Sequence, residues 1–159
     1  MKACRIMFDT NVWLDYFLDR GERAQVMVEL INEINGARCL IMTTPGSLKD
    51  IFYIIPMHLK RLAAEKTNPA ALREIAWSCV RQIMRLSVIA PGDSSVCLQA
   101  ITLRDYHDDF EDDLLVAICQ QSEASFLVTS DAKLNDRAPV ACLSPQDMLA
   151  LMRSGDAPA

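Results

Sequence analysis

Asp9 closes the short apolar stretch Ala3-Cys4-Arg5-Ile6-Met7-Phe8 and opens the run Asp9-Thr10-Asn11-Val12-Trp13-Leu14. A buried strand that stops on a carboxylate and passes at once into a helix start puts a charge at the carboxyl edge of a sheet. Open α/β sheets build their sites at that edge. Two distant segments do something similar. Asp109-Phe110-Glu111-Asp112-Asp113 opens a helix, and Val128-Thr129-Ser130-Asp131 ends a strand on an acid. Brought to one point, such carboxylates make a hard-cation site.

Each acid also has an ordinary explanation. Asp is a preferred helix N-cap, so Asp9 could simply cap the helix that begins at Asn11. The two roles are compatible, because one carboxylate oxygen can take a backbone N–H and the other a metal. Asp109, Asp112 and Asp113 stand at i, i+3 and i+4, with Cβ atoms ~5–6 Å apart along one helix face. As first-turn acids they suit the positive end of the macrodipole. Yet Leu114-Leu115-Val116-Ala117-Ile118 follows with no polar break, and a helix apolar nearly all round is buried. At least one acid of its first turn is therefore expected near the interior, where a cation offsets an otherwise costly charge. Asp112 is the expected ligand and Asp113 the solvent-facing neighbour. Asp131 also reads as a turn or cap residue before Ala132-Lys133-Leu134. Asp50, in mid-helix beside Lys49, has no special role on spacing alone.

The elements that must position these acids alternate along the chain. Strands are expected at Cys4–Phe8, Cys39–Met42, Ser87–Ala90, Phe126–Thr129 and Val140–Leu143. Helices are expected at Asn11–Leu18 and at Ala24–Ile34, the latter closed by Asn35-Gly36. Thr44-Pro45 starts another, with a hydroxyl at the cap and proline just inside, and Pro56 is expected to kink or end it. Asn68-Pro69 breaks the chain before a helix through Ala70–Leu86. Asp93 or Ser94 caps one that runs to about Leu103, and Arg104–Asp108 connects it to the acidic helix Asp109–Glu123. Ser144-Pro145 starts the last, which ends near Arg153. The order β-α-α-β-α-α-β-α-α-β-α-β-α implies a mainly parallel central sheet of four to five strands covered on both faces, a three-layer α/β/α domain. Residues 1–154 read as one domain and residues 155–159 as a flexible tail.

Bulk properties narrow the function. A length of 159 residues supports one core, and 51% apolar residues argue against disorder outside the tail. A net charge of −5 excludes a nucleic-acid binder that works by bulk attraction, but not an enzyme that meets nucleic acid through a metal. The six cysteines form no C-x-x-C pair and sit among apolar residues, so they read as reduced core thiols of a cytoplasmic protein. His58 and His107 have no cysteine at ligand spacing for zinc. No apolar run approaches the ~18 residues of a membrane span, and the Lys2–Phe8 start is short for a secretory signal.

The joint arrangement resembles the PIN-domain ribonucleases, and more closely their VapC-like toxin branch from bacterial toxin–antitoxin systems. The matching stretches are Phe8-Asp9-Thr10-Asn11-Val12-Trp13-Leu14-Asp15 and Ser47-Leu48-Lys49-Asp50-Ile51-Phe52-Tyr53-Ile54-Ile55. They continue with Asp109-Phe110-Glu111-Asp112-Asp113-Leu114-Leu115-Val116-Ala117 and Leu127-Val128-Thr129-Ser130-Asp131-Ala132-Lys133-Leu134. The resemblance implies a metal-dependent endoribonuclease with one or two Mg²⁺ or Mn²⁺ ions. Asp9 and Asp112 would be the principal ligands, Asp131 the acid after the fourth strand, and Asp109 an accessory carboxylate. The family commonly carries Glu where Asp50 stands, so Asp50 would act directly or through a water. Asn11 would orient Asp9 or the attacking water, and Ser47 or Thr129 would hydrogen-bond the carboxylates. Implied partners are RNA, a small antitoxin that covers apolar helices such as Ala24–Ile34 and Pro45–Ile55, and a second copy of the chain. Arg5, Arg20, Arg23, Lys49, Lys60, Arg61 and Arg104 are candidate phosphate contacts or plain surface charge.

Three other readings compete. A catalytically weak or inactive PIN-like module that binds RNA or protein would not need Asp9, Asp112 and Asp131 to converge. A haloacid-dehalogenase-like phosphatase needs a second acid two residues after the first, where this chain has Asn11. Dinucleotide binding needs a Gly-rich turn after a strand, and none is present.

Overall fold

The computed structural model describes residues 4–18, 21–37, 39–63, 68–105 and 109–155. Its strands are β1 (Arg5–Phe8), β2 (Leu40–Thr43), β3 (Val88–Ile89), β4 (Phe126–Val128) and β5 (Cys142–Leu143). They form one sheet in the order β3-β2-β1-β4-β5, and every pairing is parallel. Helices α1 (Thr10–Phe17) and α2 (Glu22–Gly36) link β1 to β2; α3 (Pro45–Leu62) and α4 (Pro69–Leu86) link β2 to β3. Then come α5 (Ser94–Thr102) and α6 (Phe110–Gln121) before β4, α7 (Ala132–Arg137) before β5, and α8 (Pro145–Ser154). The element order is the one expected, and the fold is a three-layer α/β/α sandwich.

Alternation along β1 builds the two cores. Ile6 and Phe8 join Trp13, Leu30, Ile51, Ile83 and Met148 on the face covered by α1 to α4 and α8. Met7 points the other way, to Val96, Ala100, Val116 and Leu134 on α5, α6 and α7. Trp13 is fully buried, lies 5.2 Å from Phe8 between ring centroids, and donates from Nε1 to the Thr43 hydroxyl at 3.1 Å. That hydrogen bond ties the start of α1 to the end of β2.

The register matters for function. Phe8 pairs with Val128, and the Asp9 N–H still bonds the Val128 carbonyl at 3.1 Å. The chain therefore leaves β1 and β4 at the same level, which brings Asp9 and the 129–131 turn to one edge. β2 ends there too, and Thr44 caps α3 through Oγ1, which accepts from the Ser47 N–H at 3.0 Å. Replacing Thr44 with Ala should cost about 1–2 kcal/mol, because a buried cap leaves its N–H donor unsatisfied. Urea unfolding of Thr44→Ala measures this, and an unchanged midpoint would show that the cap does not hold α3.

Two expectations change. Pro56 does not end α3, which continues to Leu62, so His58-Leu59-Lys60-Arg61 is helical. The proline forfeits one hydrogen bond, but α3 packs on α4 across it, with Pro56, Leu72 and Ala76 lining one groove. Asn35 and Gly36 belong to the last turn of α2 rather than stopping it. All six cysteines are free; Cys4, Cys79 and Cys119 are buried, Cys39 and Cys142 partly so, and Cys97 is exposed. Burial pushes the Cys142 thiol up to about 11, so it is not a reactive thiolate at neutral pH. No described helix is long and apolar enough to cross a membrane. Gly155 closes α8 in the left-handed region at φ 78°, where glycine carries no steric cost. The rest of the expected tail, Arg20, and the 106–108 part of the expected connector lie outside the described residues.

Candidate active site at the carboxyl edge of the sheet

Asp9 leaves β1 in an extended conformation and caps α1, its Oδ1 accepting from the Thr10 N–H at 2.6 Å. Its Oδ2 accepts from Asn11 Nδ2 at 2.6 Å and from the Thr129 hydroxyl at 2.8 Å. Asn11 Oδ1 takes the Ser130 N–H at 2.9 Å, and Thr129 Oγ1 takes the Asp131 N–H at 3.0 Å. Asn11 and Thr129 thus lock the turn after β4 onto the Asp9 carboxylate. Both the cap role and the presented carboxylate exist together.

Burial pushes the Asp9 carboxyl above its ordinary value of 3.8. The hydrogen bonds from Thr129, Thr10 and Asn11 work against that shift, and the Asp131 charge adds to it. A carboxyl raised in the folded state binds its proton more tightly than the unfolded chain does. Its contribution to stability is therefore complete below pH 3.8 and is lost as pH rises through the folded value. In chelator, wild type should lose stability over that interval, and Asp9→Asn should flatten the slope. Identical slopes for the two proteins would assign the pH dependence to other groups.

Asp9 opens into a cleft of about 210 Å³ that it shares with Glu111 and Asp112 of α6 and with Thr10, Thr44 and Ser47. Ser47 is buried, accepts from the Thr10 hydroxyl at 3.0 Å and lies 3.1 Å from the Thr44 hydroxyl. It braces Thr10 at the floor, whereas Thr129 is the hydroxyl that holds the carboxylate.

On α3, Asp50 pairs with Lys49, Oδ1 to Nζ 3.0 Å. Asp50 also lies near the Glu111 carboxyl group. Burial, then the bond to Asp50 and the charges of Asp50 and Asp109, raises the Glu111 carboxyl, with Lys49 opposing. Sequence reasoning missed Glu111, because i, i+3, i+4 spacing directed attention to Asp109, Asp112 and Asp113. Its only signal is its place in the first turn of a helix whose N-terminus meets the sheet edge.

The α6 acids divide differently from the expectation. Asp109 is the N-cap, accepting from the Glu111 and Asp112 N–H groups at 2.9 and 3.4 Å. Asp113 is not solvent-facing. It is 2% exposed and lines a second depression with Asp109 and Arg104. A rotation of about 100° per residue sends Asp112 to the cleft and its neighbour Asp113 to the α5 side. Asp131 caps α7 through the Lys133 and Leu134 N–H groups at 2.8 and 3.4 Å, and its charge reaches Asp9. A further acid that sequence reasoning passed over, Asp15, is buried and accepts from the Ser130 hydroxyl at 3.0 Å. Its position four residues after Asn11, on the same helix face, is the signal that could have found it.

Asp9, Glu111 and Asp112 line one cleft, Asp50 neighbours Glu111, and Asp131 lines another depression with Asp15, near enough for its charge to act on Asp9. Among the described residues no three His, Cys, Asp or Glu side chains are close enough to enclose an ion. Mg²⁺ does not require such a cage, since it keeps several waters and takes one or two carboxylates plus substrate phosphate. The donors around Asp9 are carboxylates and hydroxyls, with only the Cys97 thiol near them in the lining, and a dehydrated carboxylate gains most from a cation. The residues present fit Mg²⁺ or Mn²⁺.

No curated protein matches the chain in sequence. Among solved structures it is similar to a chain described as the crystal structure of FitAcB from Neisseria gonorrhoeae, with 17% identity and a TM-score of 0.59. That likeness covers 89% of this chain and 98% of the other, and it is a likeness of fold. A family model described as PIN domain matches residues 5–133. The matched segment carries Asp9 just after β1, Asp50 on α3, Asp112 on α6 and Asp131 in the turn after β4, and the chain belongs to the PIN domain family.

Proposed function

We propose that the protein is a Mg²⁺- or Mn²⁺-dependent endoribonuclease. The observation that carries this reading is the dehydrated Asp9 carboxylate, held by three donors in a cleft shared with Asp112. Asp9 and Asp112 would hold the ion, with Asp131 contributing from the side, whereas Asp109 faces the other depression and would act only by capping α6. When bound, such an ion supplies a nucleophile at neutral pH and neutralises charge developing on the phosphate. The chain's own groups do the rest. Asn11 and Thr129 fix one Asp9 orientation, so no reorganisation is needed during the reaction. Thr10, braced by Ser47, limits water at the cleft floor. Glu111, whose carboxyl is raised by burial and by Asp50, lines the same cleft and would serve as the proton donor to the departing oxygen. Asp50 thereby acts through Glu111.

The motif resemblance to the VapC-like branch extends the proposal to a toxin acting in the cytoplasm, restrained by a small antitoxin and able to pair with a second copy. RNA cleavage by the purified protein in Mg²⁺, Mn²⁺ or chelator, beside Asp9→Asn, tests the activity. Cleavage that persists in chelator, or in the variant, would sink the proposal.

A further inference from the structure

Beyond the cleft, α3 and α4 enclose an open groove of about 370 Å³ whose surface is almost wholly apolar, with Phe52, Tyr53 and Met57 on its α3 side. Tyr53 is 67% exposed, and Trp77 of α4, beside the groove, is 48% exposed. Phe52 joins them, its ring centroid 5.3 Å from Tyr53 and 4.9 Å from Trp77, both edge to face. Aromatic rings of this size left in water at a concave surface mark a binding face.

The charges there have one sign. The charged side chains lining the groove are Lys60 and Arg73, and neither is ion-paired with a described residue. On a chain with a net charge of −5, a rim whose charges among the described residues are all cationic points to an anionic ligand. The groove and the cleft share one helix, since the start of α3 lines the cleft with Pro45, Gly46 and Ser47 and its later turns line the groove. Between these two stretches of α3, Lys49 is exposed and paired to Asp50. From Lys49, α3 leads outward through Tyr53 to Lys60 on the groove wall.

We propose that the α3/α4 groove is a stacking track for the single-stranded RNA that leaves the cleft, with bases on Tyr53 and Trp77 and phosphates on Lys49, Lys60 and Arg73. The identity of the strand rests on the ribonuclease reading above. Exposed aromatic rings interleaved with cations bind single strands with little sequence preference, since every base offers a π face. The track would hold RNA on an acidic protein without help from the cleft.

The chain supplies its own reporter. It has two tryptophans, Trp13 fully buried and Trp77 half in solvent, so quenching by an added strand reads the groove. The probe is a 2′-O-methyl oligopyrimidine titrated at two salt concentrations in chelator, where metal-dependent hydrolysis cannot run. Wild type should show saturable, salt-sensitive quenching. Tyr53→Ala and Lys60→Glu should each weaken binding by about tenfold, and Lys60→Glu should also lower the salt slope by about one. Both residues are exposed, so folding is not at stake. Absent quenching, or unchanged affinity in both variants, overturns the track. So does a dimer, seen by sedimentation, that Tyr53→Glu dissociates, because the groove would then seat a second copy. Quenching in a protein that cleaves no RNA ends the nuclease reading and leaves the track; cleavage without quenching does the reverse.

Discussion

Asp9→Asn should lower the metal-dependent RNA-cleavage rate at least about a hundredfold, a loss of roughly 2.7 kcal/mol or more of transition-state stabilisation. The substitution removes a charge from the carboxylate that the start of α1 and the turn after β4 hold between them. It also turns an amide NH₂ towards a neighbour that is itself a donor. Thr10 N–H approaches one oxygen, and Asn11 Nδ2 and the Thr129 hydroxyl approach the other. Thr129 can reverse its hydroxyl, but Asn11 is held by the Ser130 N–H on its own carbonyl oxygen. Either orientation of the new side chain therefore loosens the turn after β4. Asp112→Asn should give a loss of similar size without that conflict, since the Asp112 carboxylate is not part of the Asn11–Thr129 lock. Asp147→Asn is the control, because that carboxylate only accepts from Ser144 at the start of α8. Single-turnover cleavage of a labelled RNA decides the matter. An Asp112→Asn protein as fast as wild type would mean that Asp112 serves the helix and not the reaction.

Mn²⁺ should stabilise the wild-type protein by roughly 2.7 kcal/mol at a hundredfold excess over its dissociation constant, because the ion binds the folded carboxylates and hardly the unfolded chain. For a chain of 159 residues this corresponds to a rise in Tm of about 5–11 °C. Removing Asp112 takes away a ligand and a like charge together. Apo stability should rise or stay level in Asp112→Asn, while most of the Mn²⁺ response disappears. Thermal melts of both proteins, with Mn²⁺ and with chelator, make the comparison. Equal shifts in the two proteins would put the ion elsewhere.

Local chemistry made much of this protein legible in advance. Thr44-Pro45, Asn68-Pro69 and Ser144-Pro145 are helix starts because a side-chain oxygen takes an orphan N–H and proline supplies the helical φ, and each is seen at its place. The strand that stops on Asp9 and the apolar helix behind Asp112 are equally local patterns. Alternating strands and helices imply parallel pairing, because a short turn cannot return the chain in the same direction. What depended on tertiary structure was the rotation of each helix about its axis and the neighbours it met. Spacing put Asp109, Asp112 and Asp113 on one face, but packing of α6 against α5 and the sheet divides them between two depressions. The Glu111–Asp50 pair joins residues far apart in the chain, as does the contact of Asp15 with Ser130, and no periodicity within one segment encodes either. Pro56 carries a local instruction to stop that the α4 surface overrides. Caps and strand ends involve a few neighbouring residues and are written in their order, whereas these contacts follow from how whole surfaces fit, which only the assembled sheet and its two helical layers decide.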